Sequence, residues 1–403
     1  MKENKWINGA LPAILIHGSI GSVYAWSNFS TAIAEKIGTD RNLVQFAFSL
    51  AIFFLGMSAA FGGRIVERNI HISSRISLGF FCGGLFLTGF AIHINSLPLI
   101  YLSYGVIMGI GLGTGYLTPV KTLMLWFKDH KGLATGIAVC AFGFASLIAN
   151  HLNQYLIDSF CLTDGVYNYE NLHSVFVTLA IIYMIPMFIA SWLLKKPSWW
   201  KEDEITNSTF KMMSMWKDSK FVKIWIIVFL NILCGISLVG KLQPFMTEID
   251  KTEKLIFAST IVGTFGIFNG SGRIIVSTLS DKLKKRINIY SIMLVCEWIA
   301  VLLLKFNNPI VSYIALCIIA TGYGAGFSCL PSLLSDIYGS KNISKIHGLS
   351  LTAWGIAGLV SVFISNINNL TLITTILLIG YSVAEVISYT IKYTNFVSAD
   401  QEK

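Results

Sequence analysis

The sequence predicts an all-α polytopic membrane protein with twelve transmembrane helices in two halves of six. Hydrophobic residues make up 54% of the 403 residues and charged residues only 13%, about half the charged fraction of an ordinary soluble chain. Apolar runs long enough to cross a hydrocarbon core recur along the whole length. The net charge of +9 does not indicate nucleic-acid binding, because the lysines and arginines collect in alternate loops.

Each predicted span is an apolar stretch between charged residues. The first, 8–29, lacks a small-residue cleavage site and contains His17, Tyr24 and Trp26, so it is predicted to be a retained helix and not a signal peptide. The other spans of the first half are predicted at 43–61, 74–94, 98–126, 132–157 and 173–194. Those of the second half are predicted at 223–246, 255–278, 288–306, 309–333, 346–366 and 370–392.

The loops differ in charge, and this difference predicts the orientation. Loops on one side contain Arg64, Arg68, Arg75, Lys128, Lys131, Lys282, Lys284, Lys285, Arg286, Lys341 and Lys345, and those on the other contain Lys36, Arg41, Lys251, Lys254 and Lys305. By the positive-inside rule, the first side and both termini are predicted to be cytoplasmic. The charge-rich segment 195–222 is predicted to be a cytoplasmic linker between an N-terminal bundle (1–194) and a C-terminal bundle with a short tail (223–403).

The chain shows no pattern typical of an enzyme or a metalloprotein. Its seven cysteines have no CxxC spacing and lie mostly in apolar helices, while its seven histidines are scattered. We therefore predict no disulfide framework, no metal site, no cofactor and no catalytic residues.

Arg273 is a guanidinium inside an otherwise uncharged span, about eight residues before the next charge, Asp281. At about 1.5 Å per helical residue it lies about 12 Å from that end of the span. A charge at this depth is costly unless it faces a polar cavity or a partner, so by default it indicates a functional site. The alternative is a structural arginine bonded to backbone carbonyls of a neighbouring helix.

The two halves repeat weakly in sequence. Glu67 follows the second span as Asp281 follows the eighth, and Gly132, near the start of the fifth span, pairs with Gly348 in the eleventh. Parallel six-helix halves place a substrate site at their interface near the bilayer midplane.

The loops after the second and eighth spans resemble, in degenerate form, the signature loop of the major facilitator superfamily. Glu67 stands where that pattern has Asp, and Asn69 departs from its glycine. The loop carboxylates are expected to cap the next helix and to pair with a basic residue, which would latch one gating state. The predicted gating residues are Gly63, Glu67, Arg68, Asp281 and Lys282.

Longer strings resemble the oxalate:formate antiporter family, which includes lactate-type monocarboxylate carriers. They are Gly21–Phe29 in the first span, Tyr116–Pro119 and Trp126–Gly136 around the fourth and fifth, Asn269–Arg273 in the eighth and Leu351–Gly358 in the eleventh. The resemblance covers nearly the whole chain in order, and it implies the major facilitator fold.

The resemblance also implies the substrate-binding residues. Arg273 would bind the substrate carboxylate, with Asn269 one helical turn before it on the same face. Tyr116 and Tyr323 would be cavity-lining hydrogen-bond donors, and Trp354 would face the substrate. His17 and Tyr24 in the first span are further candidates to line the cavity.

These residues predict a secondary active transporter that moves a small monocarboxylate of the lactate, pyruvate, formate or acetate type by alternating access. Two rivals remain: an oxalate:formate-type antiporter and a membrane sensor of organic anions without transport. Trp354 stands where oxalate exchangers have a second cation, a lysine, which argues against oxalate. Asn269 stands where eukaryotic relatives have an aspartate, so their proton-coupling pair is absent.

The predicted partners are a small carboxylate, with protons as a candidate coupling ion, and the lipid bilayer of the cell membrane. No nucleic acid is expected, and the functional unit is expected to be a monomer.

Four other charged residues inside the predicted spans are interpreted as structural or interfacial. Lys121 is expected to snorkel to the cytoplasmic interface, and Lys241 to be interfacial. Glu297 and Glu385 are expected to be carboxyls hydrogen-bonded to neighbouring helices.

Overall fold

The first half of the chain is helical apart from one short hairpin. The computed structural model describes residues 3–199, 212–239, 242–250, 256–365, 367 and 369–391. The first predicted span comprises a π-helical turn (Trp6–Ala10), α1 (Leu11–Ile20), a 3-10 segment (Gly21–Ala25) and α2 (Ser27–Ile37). There follow α3 (Arg41–Arg68), α4 (Ile70–His93), α5 (Leu97–Ile100), a π-helical segment (Tyr101–Met108), α6 (Gly109–Trp126), α7 (Lys131–Cys161), the antiparallel strands β1 (Leu162–Thr163) and β2 (Val166–Tyr167), a 3-10 turn (Tyr169–Asn171) and α8 (Leu172–Leu193).

The described part of the second half is also helical. It contains α9 (Met212–Met215), α10 (Ser219–Val239), α11 (Leu242–Ile249), α12 (Ile256–Ser280), α13 (Ile287–Leu304), α14 (Pro309–Tyr338), α15 (Ile343–Ser350), α16 (Thr352–Ser365) and α17 (Leu370–Tyr389). α9 and the first turn of α10 fall inside the predicted linker, whose residues 200–211 are outside the described ranges. The division at 195–222 therefore stays a prediction.

The predicted spans are found as helices. Within the described residues, ten helical stretches are long and apolar enough to cross a membrane, and they coincide with ten of the twelve predicted spans. Of the other two, the eighth is α12 and the first is divided into short segments. Several helices extend beyond the predicted limits, as α3 does at both ends, because a helix continues into polar residues where an apolar window stops.

The loops that were predicted to be cytoplasmic meet at one end of the bundle, which we call the basic face. The backbone N–H of Lys195 donates to Asn8 O (3.0 Å), and the Trp126 indole donates to Lys195 O (2.9 Å). The start of the chain, the end of α6 and the end of α8 therefore share this face. The opposite face carries the Lys36–Glu170 ion pair.

The two halves meet mainly along two helix crossings. α3 packs against α15 and α16, and α7 packs against α12 and α14. Gly348 faces Ala59 O and Gly136 faces Arg273 O, each so closely that a Cβ would collide. Each glycine thus lets a helix of one half approach the backbone of a helix of the other half.

Candidate functional site

Arg273 lies at the interface of the halves and is completely buried. Its Nε donates to Asn269 Oδ1 (3.1 Å), one turn earlier on α12, and its Nη1 donates to Val139 O on α7 (3.2 Å). Gly143 of α7 makes room for this arrangement, since a Cβ there would lie 3.1 Å from Arg273 Nε and from Asn269 Oδ1. The predicted pairing of Asn269 and Arg273 on one face is thus found, together with a backbone partner from the other half.

Aromatic rings from both halves surround the guanidinium. Arg273 Cζ lies 5.5 Å from the centre of the Phe142 ring and 5.0 Å from that of Phe327. Trp354 packs against the same two rings, with centroid separations of 5.6 Å and 4.5 Å. Tyr116 lies 5.5 Å from Trp354. Phe142 and Phe327 were not singled out in the sequence, because a phenylalanine in an apolar helix carries no signal of its own.

Several buried polar atoms around this cluster lack a hydrogen-bond partner. They are Arg273 Nη2, Tyr116 Oη, Trp354 Nε1 and His347 Nε2. The guanidinium and indole nitrogens can only donate, and the phenol can donate as well as accept. Leaving a buried donor unsatisfied costs about 1–3 kcal/mol, and more when it is charged. An arrangement of this kind suits an anionic ligand that accepts several hydrogen bonds.

A cavity of about 730 Å³ opens between the halves toward the opposite face. Its outer part is lined by Asn28, Arg41 and Asn150, and its inner end by Tyr24, Tyr323 and Asn269. The hydroxyls of Tyr24 and Tyr323, one from each half, are hydrogen-bonded at 3.2 Å. Arg273, Tyr116 and Trp354 do not line the cavity, whereas both tyrosines of this pair and Asn269 do.

The helices that present Tyr24 and Trp354 are both interrupted close to those residues. Tyr24 lies in the 3-10 segment of the first span, and Trp354 follows the break between α15 and α16 at Leu351. Interrupted helices at membrane depth are typical of substrate sites in transporters, because non-helical backbone is tolerated there only beside protein or a cavity. Tyr323 is held differently: its ring lies directly on the backbone of Gly235, where any Cβ would collide with it.

His17 differs from the prediction that it lines the substrate cavity. Its Nδ1 faces Ala138 O at very short range and its Nε2 faces Tyr116 O at 3.1 Å, and the ring is completely buried. Both nitrogens are thus engaged with the backbones of α7 and α6. His17 instead supports Tyr116, whose ring centre is 5.0 Å away.

The two signature-loop carboxylates bind helix N-termini of the other half. Glu67 Oε1 accepts from the Ser344 N–H (2.9 Å) at the start of α15. Asp281 accepts from Gly132 N (2.7 Å) and Leu133 N (2.9 Å) at the start of α7. The expectation that these carboxylates cap the next helix was wrong. For α4 that role belongs to Asn69, whose side chain is short and already stands at the N-cap.

Basic residues complete both contacts. Lys121 pairs with Glu67 (3.2 Å) and donates to Ser340 O (2.7 Å), while Arg286 pairs with Asp281 (2.9 Å) and Asp336 (2.7 Å). Burial lowers the pKa of Arg286, but these two carboxylates outweigh it and raise the pKa.

The other signature-loop residues divide into a packing position and exposed charges. Gly63 lets α3 approach Ser344 O, again closer than a Cβ would allow. Arg68 and Lys282 are exposed.

The remaining intramembrane charges lie away from the arginine. The expectation that Lys121 snorkels to the cytoplasmic interface was wrong. Its side chain is only 2% exposed, because Glu67 and Ser340 O bind it inside the bundle. Glu297 is hydrogen-bonded to Asn231 (2.9 Å) and Tyr381 (3.4 Å) on neighbouring helices, which confirms its interpretation. Glu385 accepts from Ser388 of its own helix (3.3 Å) and is also hydrogen-bonded to Ser291 of the neighbouring α13, as expected. Lys241 lies outside the described residues.

Residues 13–362 match the family described as Major Facilitator Superfamily. The chain is 24% identical to YhjX, an uncharacterised MFS-type transporter of Escherichia coli K12, over 89% of this chain and 87% of that one. It is also 24% identical to the oxalate:formate antiporter of Oxalobacter formigenes, over 89% and 83%. A crystal structure of the E. coli fucose:proton symporter FucP matches with a TM-score of 0.72 and 15% identity, over 96% of this chain and 98% of that one.

Proposed function

We propose, from the premise that this chain belongs to the Major Facilitator Superfamily, that it transports small monocarboxylates across the cell membrane. Membership makes it a multi-pass membrane transporter and not an enzyme, as the sequence predicted. The oxalate:formate antiporter among its relatives supports an organic anion as substrate. A functional monomer with both termini in the cytoplasm completes the proposal.

The observation behind the substrate class is the free Nη2 of a fully buried arginine. A carboxylate placed there would accept from Nη2, and the Tyr116 hydroxyl and the Trp354 indole would be further donors beside it. Charge-assisted hydrogen bonds of this kind are about twice as strong as neutral ones. Trp354 fills the position of the second cation of oxalate exchangers, so Arg273 serves one carboxylate at a time.

The gates suggested by the structure fit alternating access. On the opposite face, the Tyr24–Tyr323 pair closes over Arg273 and must separate for a carboxylate to reach it. On the basic face, the Glu67 and Asp281 contacts hold the halves together. Release on that side requires both contacts to break. Uniport, proton symport and exchange are all compatible with this cycle.

Uptake of labelled lactate, pyruvate, formate, acetate and oxalate into proteoliposomes tests the proposal. Arg273→Ala should reduce monocarboxylate uptake at least about a hundredfold. Arg273→Lys should not restore it, because an ammonium lacks the planar two-pronged geometry. Arg64→Ala, which removes an exposed arginine of the basic face, is the matched control and should stay within about twofold of wild type.

Undiminished uptake by Arg273→Ala would refute the assignment. Counterflow of oxalate faster than that of the monocarboxylates would favour the antiporter alternative. Saturable binding of a carboxylate by a protein that shows no flux in sealed vesicles would favour the sensor.

A further inference from the structure

A second cavity lies at the basic face, on the outside of the N-terminal half and far from Arg273. It has a volume of about 550 Å³ and is lined by Asn8, His71, Arg75, Trp192, Leu193 and Lys195. These residues come from the start of the chain, from α4 and from the end of α8. We call this cavity the lateral cleft.

Two side chains that line the cleft cap the end of α8. Asn8 Nδ2 donates to Leu193 O (2.9 Å), and His71 Nδ1 lies 3.0 Å from Ser191 O. The last carbonyls of a helix otherwise lack partners. Because Asn8 and His71 bond to these carbonyls, Arg75 and Lys195 are not needed to cap the helix and can bind another ligand. Within the described ranges, neither Arg75 nor Lys195 is paired with a carboxylate of the protein.

The cleft stands where spanning helices leave the hydrocarbon. α4 begins at Ile70 and α8 ends at Leu193, so the cleft lies at headgroup level. An exposed apolar surface leads away from it along the same helices, formed by Ile72, Ile185, Phe188, Ile189 and Trp192. Trp192 is 71% exposed, as expected for an aromatic residue at the membrane interface.

We infer that the lateral cleft binds the phosphate of an anionic phospholipid, with Arg75 and Lys195 as its charged ligands and the acyl chains on the apolar surface of α4 and α8. Basic clefts between helices at the membrane interface suit acidic lipid headgroups. A soluble phosphate would use the cations but not the adjoining apolar surface. The function of the cleft is separate from carboxylate transport.

Native mass spectrometry of the full-length protein with dioleoyl phosphatidylglycerol or dioleoyl phosphatidylcholine tests the inference. Wild type should retain phosphatidylglycerol preferentially. The double variant Arg75→Ala/Lys195→Ala should lose at least about tenfold of that affinity. Lys284→Ala/Lys285→Ala removes the same charge from an exposed loop of the same face and should change it less than about twofold. Arg75→Lys/Lys195→Arg should retain binding.

Equal retention of the two lipids, or equal losses in the two alanine variants, would overturn the inference in favour of nonspecific attraction. Displacement of the lipid by millimolar inorganic phosphate would point to a soluble ligand instead. A photoactivatable phosphatidylglycerol gives a readout on the unmodified protein that does not depend on variants folding. Its cross-links should concentrate between Trp192 and Lys195, and cross-links spread over all helix ends would contradict the site.

Discussion

The Glu67 and Asp281 contacts occupy equivalent places in the two halves, yet they hold the basic face closed in different ways. Asp281 accepts from two backbone N–H groups of α7, whereas Glu67 accepts from one N–H of α15. Both carboxylates have a basic partner in their own half, Arg286 or Lys121, and such pairs persist when the halves separate. Only hydrogen bonds between halves favour the closed state. At the first contact one such bond is accepted by Glu67 and another is donated by Lys121 to Ser340 O, whereas at the second contact a single carboxylate, Asp281, accepts both. Loss of the Asp281 carboxylate should therefore open the basic face more than loss of the Glu67 carboxylate.

The largest effect is expected from Asp281→Asn. The amide can accept from only one of the two N–H groups of α7, and the charge that strengthens both bonds is lost. The equilibrium should shift by about 2–4 kcal/mol toward separation at the basic face. Electron–electron resonance distances between spin labels at Arg64→Cys and Lys284→Cys, with exposed Cys296 replaced by serine, measure it. An unchanged distance distribution would contradict the asymmetry.

The next largest effect is expected from adding a methyl group where α7 crosses α12 and where α15 crosses α3. The loss of closure should be similar at the two crossings. Gly132→Ala places a Cβ against Ser277 O, and Gly348→Ala places one against Ala59 O. Each should disfavour closure by about 1–3 kcal/mol, measured with the same labels. Gly18→Ala is the control, because a Cβ there meets nothing within 4 Å. A strong effect at one crossing only would show that the packing is asymmetric too.

Glu67→Gln should shift the distribution less, by about 1 kcal/mol, because the amide oxygen can still accept from Ser344 N. It also leaves the buried Lys121 cation without this carboxylate in both states. We therefore expect a lower melting temperature together with a small change in label distance. A shift equal to that of Asp281→Asn would mean that the pair with Lys121 also depends on closure.

The smallest effect is expected on the opposite face. Lys36 and Glu170 form an ion pair within the N-terminal half, in which the Lys36 side chain is 8% exposed and the Glu170 side chain 70% exposed. Solvent at Glu170 screens the pair, so it contributes about 1 kcal/mol, and it does not join the halves. Lys36→Ala should leave the label distances unchanged and alter the melting temperature only slightly. A clear change in the label distances would show that contacts on the opposite face also control closure at the basic face.

The candidate site was partly predictable because polar groups are conspicuous in apolar helices. Arg273 and Asn269 stood out as a charge and an amide one turn apart, and they are hydrogen-bonded. Phe142, Phe327 and Gly143 could not be identified, since their roles depend on which helix faces the guanidinium. His17 was misassigned for the same reason: its position in the first span was known, but not the carbonyls that its ring would meet.

The sequence by itself determined the number, order and approximate limits of the spans, because apolar length and loop charge are local properties that the bilayer selects. It also identified Arg273 as a charge whose burial inside an apolar span is energetically costly. Only the tertiary structure decided the partners: that loop carboxylates bind helices of the opposite half, that Lys121 turns inward, and that Tyr24 and Tyr323 of opposite halves are hydrogen-bonded. Most of these contacts join residues more than a hundred positions apart, so their geometry follows from how the helices and the two bundles pack and not from any local pattern.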